Sequence, residues 1–281
     1  MGILKQLDEI EDFPTIPTSL ARILEVAEDP HADFGKMVRV LEIDPTLTAK
    51  VLKVANSAMY GCRKTVSNIE RAVALLGFDE VRNIALGLSV FDSLYRKVRG
   101  AYFQRQRLWR HSYSAAYLTR YLAERYTPGQ ASMGFVAGLL HDLGKVLLDR
   151  FFPDYLGEIL TAMRREQSGF AEAELSLNAE GHEKIGAYLA RRWGLPDELA
   201  IALEYHHGVV PQEEQPLADV TFLGNEIAHV LGIHTLSFEE TPSVESVIER
   251  EEVAVRLNRL GIEPPELVDL IAQELQTLGD S

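Results

Sequence analysis

Apolar residues recur every three or four positions along almost the whole chain, from Leu20 to Leu278, and no run of alternating β-branched residues interrupts them. A half-buried strand needs a period of two, so this pattern restricts the chain to an all-α fold class. The punctuation agrees. Thr18 or Ser19 can cap a helix carrying Leu20, Ile23, Leu24 and Ala27, and Asp33 one carrying Phe34, Met37, Val38 and Leu41. Asp44-Pro45 places a carboxylate at N-cap and proline at N1 of a third helix, through Leu47, Val51, Val54 and Ala55. Ser67 opens a fourth, closed by Gly77, and Asp79 opens a fifth through Val81, Ile84, Leu88 and Phe91. Residues 1–100 therefore read as a compact bundle, with Arg96, Lys97, Arg99 and Gly100 as the hinge to the rest.

With 281 residues, 46% hydrophobic and 25% charged, the chain can bury a large core. A net charge of −14 argues against a nucleic-acid binder, and Arg105-Gln106-Arg107 and Arg191-Arg192 read as solvated helix faces. The first residues lack the basic and apolar regions of a signal peptide, and no stretch approaches ~18 uninterrupted apolar residues. A cytoplasmic protein without membrane association is expected. The single Cys62 can form neither an internal disulfide nor a zinc knuckle, so a metal here must be held by His and carboxylate.

Seven of the eight histidines lie after residue 100. The focus is Gly138-Leu139-Leu140-His141-Asp142-Leu143-Gly144-Lys145, where His141 and Asp142 adjoin inside an apolar run read as one helix. An ionised Asp there needs a partner, and a divalent cation, a facing Arg or a backbone group would each serve. His111 lies on the stripe Leu108, Ala115, Leu118 and Leu122; His182 precedes Ile185 and Leu189; His206 follows Leu199, Ala202 and Leu203, with His207 beside it at the helix end. Four inward imidazoles on consecutive helices, joined by Asp142, suit Fe, Mn, Zn or Ni. Lys145 faces either an anion such as phosphate or the solvent by snorkelling. Leu217, Val220, Gly224, Ile227 and Leu231 form a further inner stripe. After Glu239-Glu240-Thr241-Pro242-Ser243, two amphipathic helices are expected, about Val244–Leu260 and Glu266–Leu278.

The order His111, His141-Asp142, His182, His206-His207 resembles the HD superfamily of metal-dependent phosphohydrolases. Asp44-Pro45-Thr46-Leu47-Thr48, Ala55-Asn56-Ser57-Ala58, Tyr60-Gly61 and Ala72-Val73-Ala74-Leu75-Leu76-Gly77 are similar to motifs of the related bacterial HDOD family. The resemblance covers roughly residues 10–235. It implies an N-terminal helical subdomain (1–100) packed on an HD-like subdomain (101–235), with residues 236–281 as an extension. It also implies bacterial signalling or regulation, through a signalling protein partner or a small phosphorylated ligand, rather than established catalysis.

Two departures bear on chemistry. The HD pattern ends in an Asp on a late helix, where this chain has Asn225, a weaker ligand; Asp219 and His229 are the other donors nearby. His206-His207 is followed by Gly208-Val209-Val210-Pro211 and not by the acidic Gly-Tyr-Pro loop of the HD-GYP phosphodiesterases, which argues against cyclic di-GMP hydrolysis. The expected ligands are thus His111, His141, Asp142, His182 and His206, with His207 and Asn225 in reserve, around one ion or two. In the alternative reading, a phosphohydrolase, Asp142 helps to hold the metal and Lys145 steadies the phosphate.

Overall fold

The structure is a computed structural model that describes residues 2–10, 13, 15–28, 34–57, 60–62, 65–95, 102–178, 180–208 and 215–279. Among them every regular element is helical and no strand occurs. The Asp33 cap, the side chains of Ala27 and Phe34, Ala58, the Arg96–Gly100 hinge and the Val209–Pro211 loop lie outside the described residues. The chain divides into two compact units, Pro14–Arg96 and the remainder, Met1–Phe13 with Lys97–Ser281.

Helix α1 (Ile3–Asp8), which the sequence reading left unassigned, belongs to the larger unit: Ile3 and Leu7 are buried, and the Leu4 amide donates to Glu180 Oε2 at 2.7 Å. The smaller unit holds α2 (Thr18–Glu28), α3 (Phe34–Glu42), α4 (Pro45–Ala55), α5 (Ile69–Leu76) and α6 (Phe78–Tyr95). Its axis is α6, which packs against the other four and buries Val81, Ile84, Leu88, Val90 and Phe91. Asp44 caps α4 as expected, accepting from the amides of Thr46 and Leu47. The cap of α5 is Asn68 rather than Ser67, because the Asn68 carboxamide accepts from the Arg71 amide. Asn56 ends α4 and ties its last turn to the following loop, donating to Leu52 O and Val66 O and accepting from Val66 N.

The larger unit continues with α7 (Arg105–Tyr126), α8 (Ala131–Leu140), α9 (Leu143–Phe151), α10 (Pro153–Glu166), α11 (Phe170–Ser176), α12 (His182–Arg192), α13 (Asp197–Glu204) and α14 (Pro216–Val230). It closes with α15 (Val244–Ile248), α16 (Glu251–Leu260) and α17 (Pro264–Gly279), so the single helix expected over Val244–Leu260 is two. Arg250 makes the break: it adopts an extended backbone ahead of α16 and turns its guanidinium to Glu226 on α14.

Two glycines set the spacing around the centre. A Cβ on Gly138 would lie 2.5 Å from Ala115 O, and one on Gly144 would collide with the carbonyl of His182. The lack of a Cβ at these two positions lets α8 lie against α7, and α9 against α12, at backbone contact distance. The stretch Ala131–Phe151, which spans α8 and α9, is long and apolar enough to cross a membrane by length and composition, and 83% of its most apolar 18-residue window is buried inside the protein.

Candidate metal centre

His141 and Asp142 do not continue a helix as the apolar run suggests. They form the turn between α8 and α9, and Asp142 stands at the head of α9 without capping it. The turn aims both side chains at α7, α12 and the end of α13, which supply His111, His182 and His206. All five residues are 0% exposed.

Each of the four imidazoles is oriented from behind. Nδ1–H of His111 donates to Ile233 O at 2.6 Å, that of His141 to Gly138 O at 2.7 Å and that of His206 to Leu203 O at 2.7 Å. His182 Nδ1–H donates to Glu174 Oε2 at 2.8 Å, and Glu174 Oε1 accepts the His182 amide at 2.8 Å. With Nδ1 so engaged, every Nε2 turns inward. The Nε2 atoms of His111 and His141 stand 3.1 Å apart, and those of His182 and His206 also 3.1 Å apart. Asp142 lies between the pairs. Its Oδ2 is 3.6 Å from His111 Nε2 and 3.5 Å from His141 Nε2, while Oδ1 is 3.3 Å from His182 Nε2 and 3.7 Å from His206 Nε2.

Burial pushes His111 and His206 down to about 3, overcoming the pull of Asp142, so both are neutral. At His182 burial also acts downward, but the Glu174 carboxylate and the Asp142 hydrogen bond prevail and bring it up to about 9. Burial alone would raise Asp142. The Lys145 ammonium and the imidazoles outweigh it and hold the carboxyl well below its usual range. Lys145 is itself 1% exposed, with Nζ 2.9 Å from Asp142 Oδ1 and 3.0 Å from Oδ2, so it does not snorkel to solvent.

The donor set fits a divalent metal. The Nε2 atoms of His111 and His141 face each other across 3.1 Å and repel unless a proton or cation lies between them; across the same distance between His182 and His206, the second His182 proton fills that place, and a metal would displace it. Neutral imidazole with its far nitrogen bonded to a carbonyl or carboxylate is the form in which histidine binds metal. Asp142, His182, His206 and His207 form one group of donors within 4.8 Å of one another, and His111, His141 and Asp142 a second.

The reserve residues divide. His207 joins the first group; its ring is 4.3 Å from that of His206, its buried Nε2 has no hydrogen-bond partner, and burial holds its pKa well below the ordinary value. Asn225 is 1% exposed on α14, with neither amide atom hydrogen-bonded. Asp219 is engaged elsewhere, by Arg256 at 2.6 Å, and His229 turns its Nδ1 to His234. Glu174, which the sequence reading did not single out, is 1% exposed and holds His182 from behind. Its only signal is the inner stripe Phe170, Ala173 and Glu174 along α11.

The profile of the HDOD domain matches residues 13–209. An HDOD domain protein of unknown function from Geobacter sulfurreducens superposes with a TM-score of 0.80 at 26% identity, over 97% of this chain and 92% of its own. A candidate phosphohydrolase from Shewanella amazonensis SB2B shares the fold, with a TM-score of 0.72 at 24% identity over 96% of this chain and 93% of its own. An uncharacterized protein of Treponema pallidum (strain Nichols) is 28% identical over 239 residues, 84% of this chain, which spans 45% of that relative's length. The helical motifs of the smaller unit, the His and Asp order of the larger one and the matched span together place this chain in the HDOD domain family.

Proposed function

We propose that this chain is a bacterial signalling or regulatory module, acting in the cytoplasm, whose His/Asp centre holds a divalent transition metal (Fe, Mn, Zn or Ni, as one ion or two) for structure or ligand sensing. One observation carries the reading: four Nε2 atoms and one carboxylate converge at a point where every contributing residue is 0% exposed. Complete enclosure suits a centre that holds or senses better than one that turns over substrate. Asn225, a neutral amide at the position of an acidic ligand, weighs the same way. His111, His141, His182 and His206 would hold the metal with Asp142, and Glu174 would orient His182. A signalling protein or a small phosphorylated molecule is the partner this reading implies.

The test is metal content per chain, by elemental analysis of untagged protein purified without chelator, beside the His141→Ala variant. Near-stoichiometric metal that falls sharply in the variant is expected. Metal-free protein in both preparations would overturn the reading and leave the cluster as a hydrogen-bonded core.

A second reading, a phosphohydrolase, draws on the way the two oxygens of Asp142 face separate pairs of imidazoles. A bound metal in such a place supplies Lewis acidity and lowers the pKa of water. Steady turnover of a phosphomonoester or cyclic nucleotide, abolished by Asp142→Ala with the fold intact, would replace the first reading with this one.

A further inference from the structure

Outside this centre, another set of imidazole and carboxylate donors closes on itself, beyond the span matched by the family profile. Helix α14 ends at Val230, and Gly232, with φ of 69°, reverses the chain so that His234 returns beneath His229. The spacing is His-x4-His-x4-Glu, over His229, His234 and Glu239. His229 Nδ1 lies 3.1 Å from His234 Nδ1 and 3.9 Å from Glu239 Oε2.

The surrounding bonds leave these three atoms available. His234 Nε2 pairs with Thr241 Oγ1 at 2.9 Å, which fixes the ring with Nδ1 inward. Glu239 Oε1 accepts from Thr235 Oγ1 at 2.9 Å and from the Leu236 amide at 2.5 Å, so Oε2 remains for a ligand. One proton can bridge the two Nδ1 atoms but does nothing for Oε2, whereas one cation serves all three. Two ligands about 2.0–2.1 Å from a tetrahedral ion stand roughly 3.3 Å apart, and the observed separations bracket that value. The side chains of His229 and Glu239 are 18% and 10% exposed, so the cluster borders solvent, where water can complete a coordination shell.

We propose that His229, His234 and Glu239 form a second divalent-metal site of the zinc class, with water in the fourth position and Thr241 as a positioning residue for His234. The site does not depend on occupancy of the Asp142 centre, although the rings of His229 and His111 are 5.1 Å apart.

The test is a Zn2+ titration of the chelator-stripped full-length chain, followed by calorimetry. The unaltered chain is expected to take up one equivalent more than His234→Gln, and Glu239→Gln to weaken that step at least tenfold. Thr241→Val should keep the equivalent but bind it about 10–100-fold more weakly. Equal stoichiometry and affinity in the unaltered chain and in His234→Gln would overturn the proposal. If His234→Gln does not fold, anomalous diffraction from zinc-soaked crystals of the unaltered chain decides. A zinc peak between the two Nδ1 atoms supports the site, and its absence there overturns it.

Discussion

Glu174 shows how much of the centre rests on a residue that stands behind one of its imidazoles, on Nδ1 of His182. It bonds both the ring and the amide of His182 and raises that ring to about 9 against the effect of burial. Glu174→Gln removes the charge and keeps the shape, so the expected outcome is a loss of about 10–100-fold in metal affinity, read by competition with a chromophoric chelator, with an unchanged circular dichroism spectrum. The four inward histidines were legible because each interrupts an apolar stripe with helical period. Glu174 was not, since its partner is set by how α11 and α12 pack. The turn at His141-Asp142 was also hidden, because apolar residues run through it at helical spacing.

At the scale of elements, the closing helices acquire a task that their amphipathic pattern does not reveal. Arg256 on α16 is 0% exposed and pairs with Asp219 on α14 at 2.6 Å. Its other guanidinium nitrogen donates to Tyr205 O at 3.0 Å and to Gly208 O, the carbonyls on either side of His206 and His207. Helix α16 thus clamps the segment that carries two candidate ligands. Arg256→Ala leaves Asp219 only the longer pairing with Arg259, at 3.6 Å, and should destabilise the protein by about 3–5 kcal/mol in urea unfolding, whereas Arg256→Met with Asp219→Leu should recover most of that loss. Sequence periodicity found both partners' helices. It could not pair residues 37 positions apart.

For the whole molecule, the sequence disclosed an all-α chain and its punctuation, because caps and periodicity are local; it missed α1, whose six residues acquire their helical setting through α12 and Glu180. Every candidate ligand belongs to the larger unit, so metal removal should be felt there alone. Hydrogen exchange with and without chelator is expected to rise in peptides from α7–α9 and α12–α14 while those from α2–α6 keep their rates, without global unfolding. Lys145 is what keeps the emptied core folded. Its ammonium donates to Asp142 Oδ2 and lies 2.9 Å from Oδ1, so the carboxylate keeps a cationic partner when the ion is removed. The order of assembly follows: this chain can close first and load afterwards, and an emptied centre is a vacancy in a finished building, unlike a zinc finger, which has no walls until the metal arrives.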